Sequence, residues 1–462
     1  MNIHIKSILA SLMFSLLLYS KTMGINLVIL SLVTITFVLL EHKRQKETIK
    51  YALAYLFTAL MVFLDPTNFK IFIHALAFLI YIGKTIAPKN SLYLSWFIGL
   101  TNMVLASIHQ LNSSLKKEGH KSTTLSSKTK TKTILKALSI TIGLIILFSL
   151  LYQKSNPVFR SLISAINFDF LSFPWLLFTV FGYFIFLHIL RPYYPETLIT
   201  LDTEQSNILK RSTPNFSMEQ SKKLAEEYTL GSIIFIALNS LLFIFLITDF
   251  IYLIDANTST NSEYSKSVHQ GVYALLLSII CAIAIILYFF RGDLNFYTKS
   301  QNIKILCYSW IAMNLILVLF TWYKNYMYVA TLGLTYKRIG VFVYLLCILA
   351  GLCTTYLKVS KTKSFIYLIR SNVAVIFAVL LVSATIPWDK SITYYNLKNI
   401  ENVDIQYLID LGDTNSIQLK KYSEEKKETA FEASITTKYS RFIQQEKEKS
   451  WQEYSIYSLI YH

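Results

Sequence analysis

A single carboxylate, Asp249, stands in the stretch "LLFIFLITDFIYLID" at 241–255, an otherwise apolar run that ends on a second one, Asp255. An ionised side chain inside a bilayer costs about 2.5 kcal/mol or more, so Asp249 needs a countercharge or a task. Ion pairing, proton relay and polar ligand binding are the chemistries such a residue can serve. Asn239 precedes it by ten residues, about 15 Å along a helix and about 80° around it, so both can face a bundle interior. Asn314, midway along "WIAMNLILVLF", can add an interhelical hydrogen bond. His269, Thr335, Lys337 and Arg338 fall at the ends of neighbouring apolar runs on the same expected side of the membrane. Arg338 is the expected partner of Asp249, and Thr335 the expected cap of the helix that follows. The set Asp249, Asp255, His269, Thr335, Arg338, Asn239 and Asn314 is therefore a candidate polar cluster in the outer half of the membrane. It can be a structural tie, a lined path for a solute or proton, or an enzymatic site.

Other chemistry is poorly supplied. The chain has 13 glycines but no G-x-x-x-x-G-K-[ST] and no G-x-G-x-x-G, so no phosphate-cradling loop is expected. It lacks H-E-x-x-H and G-x-S-x-G, and "EEYTLG" at 226–231 has no Arg or His where a metalloprotease would need one. His74 and His188, each alone in an apolar run, read as packed or hydrogen-bonded side chains rather than metal ligands. Cys281, Cys307, Cys347 and Cys353 form no C-x-x-C pair and read as small core residues. No catalytic residue, metal site or cofactor is expected.

The elements that must position these residues are membrane helices. Of 462 residues, 54% are hydrophobic and only 15% charged, with a mean hydropathy of +0.45, outside ordinary soluble usage. Apolar stretches long enough to cross a bilayer recur near 4–20, 23–41, 51–64, 69–83, 91–110, 134–152, 175–190, 230–254, 271–290, 303–323, 339–357 and 366–386. The first has no small-x-small cleavage site and reads as a retained helix. The stretch 91–110 carries Asn102, Ser107, His109 and Gln110 and reads as an interfacial or re-entrant helix, leaving about eleven crossings. The net charge of +17 sits largely in short basic connections, the strongest being 116–136, which assigns these to the cytoplasm. Anionic lipid headgroups, not nucleic acid, are the expected partners of those residues. On this count 191–229, 291–302 and 358–365 are inside, and 255–270, 324–338 and the tail from 387 are outside.

Composition divides the chain into N-terminal membrane helices at 1–115, a basic cytoplasmic loop at 116–133, and a main transmembrane domain at 134–388 that contains the polar connector 191–229. A hydrophilic tail follows at 389–462. Within the connector, "SMEQSKKLAEEY" has Ser217 as a helix cap with Gln220 three residues on. In the tail, Ile400, Val403, Tyr407, Leu408 and Leu411 lie at helical spacing before Gly412 and predict a short amphipathic helix.

Five stretches in order, "LLFIFLITDFIYL", "SVHQGVYALLLSIICAIAIILYFFRGDLNFY", "YVATLGLTYKRIGVFVYLL", "YLIRSNV" and "WDKSITYYNL", resemble bacterial membrane families of unknown function, domains 4153 and 4173. The resemblance covers about residues 130 to 410. Its most specific pieces are His269-x-Gly271, Gly333-Leu334-Thr335 with Arg338, Arg370-x-Asn372, and Tyr395-Asn396. Leu332 stands where those families usually carry Tyr. The resemblance implies a bacterial inner-membrane protein and supplies no activity. Arg370 and Asn372 are expected to anchor the last span at the cytoplasmic headgroups.

The fold class expected is therefore all-α, a polytopic transmembrane bundle of about 11–12 spans with a hydrophilic helical C-terminal tail. The expected role is non-enzymatic, moving or sensing a small solute or lipid through the polar cluster. The alternatives are a scaffold or signalling partner acting through the tail and connector, and an intramembrane transferase.

Overall fold

A computed structural model of the chain describes residues 2–41, 46–104, 172–213, 216–255, 277–426 and 430–461, with scattered positions between 141 and 156. The described residues are helical, with no named strand and one isolated bridge between Ile208 and Lys363. Helices α1 (Ile3–Leu18), α2 (Ile25–Glu41), α3 (Lys46–Leu64), α4 (Asn68–Ile86) and α5 (Leu92–Val104) lead to α6 (Phe173–Leu190), α7 (Glu196–Glu204) and α8 (Met218–Asp255). Then come α9 (Leu277–Phe289), α10 (Ser300–Leu332), α11 (Tyr336–Ser360) and α12 (Phe365–Ala384). The tail adds α13 (Trp388–Asn399), α14 (Ile405–Asp410), α15 (Ser416–Lys426), α16 (Glu432–Glu448) and α17 (Ile456–Tyr461).

Seven of these helices, α3, α4, α6, α8, α10, α11 and α12, are long and apolar enough to cross a membrane, and α1, α2, α5 and α9 are shorter apolar ones. Phe243, Ile247, Phe250 and Ile251 of α8 are all exposed on the protein surface, a cost in water that lipid removes. The chain is a multi-pass membrane protein. The span read at 51–64 is longer than its apolar pattern, because α3 begins at Lys46 and reaches 19 residues. Most of the span read at 134–152 lies outside the described residues, as does 105–110 of the stretch read as interfacial.

The chain forms two compact units. In the first, built of residues 1–22, 32–43 and 100–194, α1 packs along α6. Gly182 makes room for the ring of Phe14, which stacks on Phe178 at 4.8 Å, and Ser15 meets Thr179 at 2.6 Å. Asn102 closes the end of α6: its amide donates to the His188 carbonyl at 2.9 Å and its oxygen accepts from Tyr193 N–H at 2.9 Å.

The second unit comprises residues 23–31, 44–99 and 195–462. Its main core lies between α8, α9, α10 and α11, where Phe235 packs edge-on against Trp310 at 5.4 Å. At one end of the unit the connections meet one another. Leu209 N–H donates to the Thr362 carbonyl at 3.0 Å, Ser364 N–H to Asn207 at 3.1 Å, and Lys358 to the Phe290 carbonyl at 2.7 Å. Lys210, Arg211, Arg291, Lys299, Lys361 and Lys363 belong to these connections, a basic rim. The tail packs at the other end around its own core of Ile392, Ile405, Leu408, Leu419 and Ile435, joined by Ile339 of α11.

Two helix starts follow their sequence signals. Ser217 and Gln220 bond reciprocally at 3.2 and 3.0 Å, forming the expected capping box of α8. α8 then runs without a break from this cap through the apolar run, 38 residues or about 57 Å. The short tail helix is present as α14, capped by Asp404, but it starts at Ile405 and leaves Ile400 and Val403 before it. The cysteines depart from expectation: Cys307 is buried, whereas Cys281 and Cys353 are exposed on their helices and Cys347 is half-buried. His74 and His188 are hydrogen-bonded, to Thr58 and to the Met103 carbonyl.

Candidate functional site

Asp249 is buried, and its partner is Lys324 of α10, whose ammonium contacts Oδ1. The expected pairing with Arg338 does not occur. The reason lies in the helix boundary. The apolar run suggested that the span stops at 323, but α10 continues to Leu332, which places Lys324 inside the helix and opposite Asp249. Arg338 is held elsewhere. Its guanidinium donates to the carbonyls of Leu332, at 2.8 Å, and Gly333, which the end of α10 leaves without helical partners. It also stacks over the Tyr328 ring at 4.1 Å.

The rest of the expected cluster is dispersed. Asn239 joins α8 to α10 by donating to the Leu306 carbonyl at 3.1 Å. Asn314 donates back to Trp310 in its own helix at 2.8 Å, so it does not make the interhelical bond expected of it. Among its neighbours four residues back is a carbonyl already in reach, and the local bond wins. Thr335 caps α11 as expected, accepting from Arg338 N–H at 3.4 Å. The Asp255 side chain and His269 lie outside the described residues.

The two pieces of sequence Gly333-Leu334-Thr335 and Tyr395-Asn396 meet. Asn396 of α13 is buried and turns its carboxamide onto Leu334: Oδ1 accepts from Leu334 N–H at 2.6 Å and Nδ2 donates to the Leu334 carbonyl at 2.9 Å. Both polar groups of one connecting residue are thus satisfied by one tail side chain. Gly333 has φ +86°, and a Cβ there would lie 2.7 Å from Asn396 Oδ1, so conformation and space both require glycine. Next to this clasp Tyr407 accepts from Tyr336 N–H at 3.1 Å, and the Tyr336 hydroxyl donates to Asp389 at 2.7 Å. Burial pushes the Tyr407 hydroxyl pKa up.

The tail also holds two other connections on its side. The Tyr454 carbonyl accepts from Ile25 N–H at 2.8 Å, and the Tyr457 hydroxyl donates to Asp65 at 3.3 Å, where Asp65 pairs with Lys70 at 2.7 Å. Lys438 of α16 is buried and donates to the Ile409 and Leu411 carbonyls, both at 2.7 Å. Burial lowers its pKa to about 8.

Between the tail, the α3–α4 connection and the tail-side turns of α11 and α12 lies a cleft of about 790 Å³, within the range of small-molecule sites. Asp389, Tyr336, Tyr407 and Trp388 line it. Among the described residues no group of three or more His, Cys, Asp or Glu could hold a metal ion.

At the opposite, basic end, Arg370, expected to anchor the span at headgroups, is bonded within the protein. It donates to Asn207 Oδ1 at 2.8 Å, to the Gln205 carbonyl at 3.2 Å, and to Asp202 Oδ1 at 3.2 Å. Asp202 in turn accepts from Ser91 N–H at 2.7 Å and from the Tyr93 hydroxyl at 2.8 Å. Burial alone would raise the Asp202 carboxyl, but the hydrogen bonds from Ser91, Tyr93 and Arg370 hold it below the usual carboxylate value. Asn372 accepts from Thr354 at 3.0 Å and ties α12 to α11.

Sequence reasoning missed Lys324, Asp202 and the Asp389–Tyr336 pair. Lys324 was readable in principle, because "FTWYKNYMYVATLG" carries no helix breaker before Gly333. Asp202 and Asp389 carry no local signal, since their partners are 111 and 53 residues distant.

Residues 8–422 match the family model described as Domain of unknown function (DUF4153). The chain belongs to this family. The match takes in the membrane helices from α1 onward and the clasp between Gly333 and Asn396, and it ends within α15 of the tail. It reaches well before the stretch from about residue 130 on which the resemblance was read. No curated protein and no solved structure matches the chain.

Proposed function

We propose that the chain acts without catalysis, as a bacterial inner-membrane sensor or scaffold whose folded tail binds a ligand in the cleft and couples its occupancy to the arrangement of the membrane helices. The observation that carries this reading is the clasp of Asn396 on Leu334. A tail residue there fixes the backbone of the connection between two membrane helices, so a ligand that moves the tail also acts on α10 and α11. The ties of Tyr454 to Ile25 and of Tyr457 to Asp65 extend the same coupling to α2 and to the α3–α4 connection. The basic rim at the other end supports a cytoplasmic placement there and an outward-facing tail.

A transport path at Asp249 finds less support. Its carboxylate is buried against Lys324, as in a structural tie, and Asn314 is turned back on its own helix.

Hydrogen exchange on the full chain in lipid nanodiscs tests the reading. Residues 333–338 and 392–411 should be protected together, and Asn396→Ala should speed exchange in both segments and in the adjoining turns of α10 and α11. If the variant frees the tail while the helix ends keep their protection, tail and helices are not coupled and the reading falls.

A further inference from the structure

We infer that the cleft takes a membrane amphiphile whose head is an ammonium group, an inference that rests on the function proposed above and names the ligand class. The cleft is built in two storeys. Its floor is apolar and belongs to the outer turns of two membrane-spanning helices: Ile339 and Val343 of α11 and Leu380 of α12. An apolar floor at the ends of two membrane-spanning helices would let an occupant with a hydrocarbon chain enter from the bilayer. Its upper wall belongs to the tail and is acidic. Asp389, Asp410 and Asp413 line it, and no Lys, Arg or His does, in a chain whose net charge is +17.

Two side chains in that wall are nine-tenths buried, and one of them lacks a partner. Asp389 is buried, at 5% exposure; Oδ1 accepts from Tyr336, while Oδ2 lies over Gly412, where a Cβ would strike it. Thr414, at 8% exposure, lines the same cleft, and its Oγ1 is buried with no hydrogen-bond partner among the described residues. A buried hydroxyl without a partner is expensive unless an occupant of the cleft supplies one. Two cations stand behind the wall without lining the cleft: Arg441 pairs with Asp413 at 2.9 Å, and Lys438 donates to the Ile409 and Leu411 carbonyls while its charge also acts on Asp413, Asp389 and Asp410.

The aromatic residues narrow the head chemistry. Trp388, Tyr336 and Tyr407 line the cleft beside Asp389, the combination of ring faces and carboxylate that holds a diffuse organic cation. A divalent metal fits less well, because the three carboxylates do not converge as a ligand group. A phosphate-only or sulfate head would meet carboxylates with no lining cation.

The test is a titration of the purified full chain in maltoside micelles, reading the fluorescence of Trp388 by difference from a Trp388→Phe protein. The probes are dodecyltrimethylammonium, tetramethylammonium and dodecyl sulfate. Dodecyltrimethylammonium should give a saturable change, tetramethylammonium one at least about tenfold weaker, and dodecyl sulfate none. Asp389→Asn keeps the bond from Tyr336 and should weaken the first midpoint by about tenfold. Gly340 lines the cleft with open space at its missing Cβ, so Gly340→Leu should fill the site without disturbing the fold and abolish the signal. Equal midpoints for wild type and Gly340→Leu, or for the cationic and anionic surfactants, would overturn the inference. Equal response to the free head and the amphiphile would assign the cleft to a soluble amine and overturn it too. Protection of 333–338 and 392–411 in the ligand-free protein separates the two failures: with that protection intact, a negative titration removes only the ligand class.

Discussion

At the residue scale the chain answers the cost of a buried carboxylate with a buried ammonium. Both members of the Asp249–Lys324 pair are about nine-tenths shielded, so removing either one alone breaks a buried ion pair in the bundle. Asp249→Ala or Lys324→Met should each destabilise by about 3–5 kcal/mol, whereas the double variant Asp249→Leu/Lys324→Met should recover most of that loss. Unfolding of the purified protein in mixed micelles, arranged as a double-mutant cycle, measures it. The same cycle with Arg338→Gln should show no coupling to Asp249, because that guanidinium is committed to the Leu332 and Gly333 carbonyls. Strong coupling to Arg338 would restore the pairing that the sequence suggested. The presence of a partner was legible from Asp249 alone; its identity was not, because hydropathy marks where a run stops being apolar rather than where the helix ends.

At the element scale, signals carried within one turn were readable and contacts between distant elements were not. Ser217 with Gln220 and Thr335 cap helices through groups three residues away, so the sequence pattern contains the whole interaction. The junction of Asp202, Ser91, Tyr93 and Arg370 joins three elements far apart in the chain, and nothing near any one of them announces the others. That junction has a pH dependence of determined sign. The Asp202 carboxyl titrates below its usual 3.8 in the folded chain, so between the two values the unfolded chain binds more protons and stability rises with pH. Its contribution is present above about pH 4 and lost as the pH falls through the lowered value. Acid unfolding followed by helical circular dichroism should therefore show Asp202→Asn less stable than wild type at neutral pH, with the difference shrinking in acid. A difference that stays constant from pH 6 to pH 2 would mean the carboxylate's charge contributes nothing. The close pair α4 and α5 belongs to the same scale: Gly83 packs on the Ser95 carbonyl and Gly99 on Leu79, a reciprocal small-residue contact that spacing alone does not reveal.

For the molecule as a whole, the second unit is polar at two ends of different character, and that difference predicts an orientation. One end gathers Lys210, Arg211, Arg291, Lys299, Lys361 and Lys363 around the connections between helices; the other carries the tail, whose acids and bases nearly balance. Basic connections are retained on the cytoplasmic side during insertion, so the basic rim should face the cytoplasm and the tail the opposite compartment. In a background with all four cysteines replaced by serine, Lys361→Cys places a thiol at the exposed basic end and Ser434→Cys places one on the exposed surface of the tail. A membrane-impermeant maleimide added to intact spheroplasts should label the second and reach the first only after permeabilisation. The opposite pattern would put the tail in the cytoplasm and set the insertion charge rule aside for this chain. It would also move the acidic cleft to the inner leaflet, where its occupant would be drawn from a different pool of lipid. Labelling of both thiols in intact spheroplasts would mean that the two ends do not face opposite compartments, and the orientation read from the charges would fall.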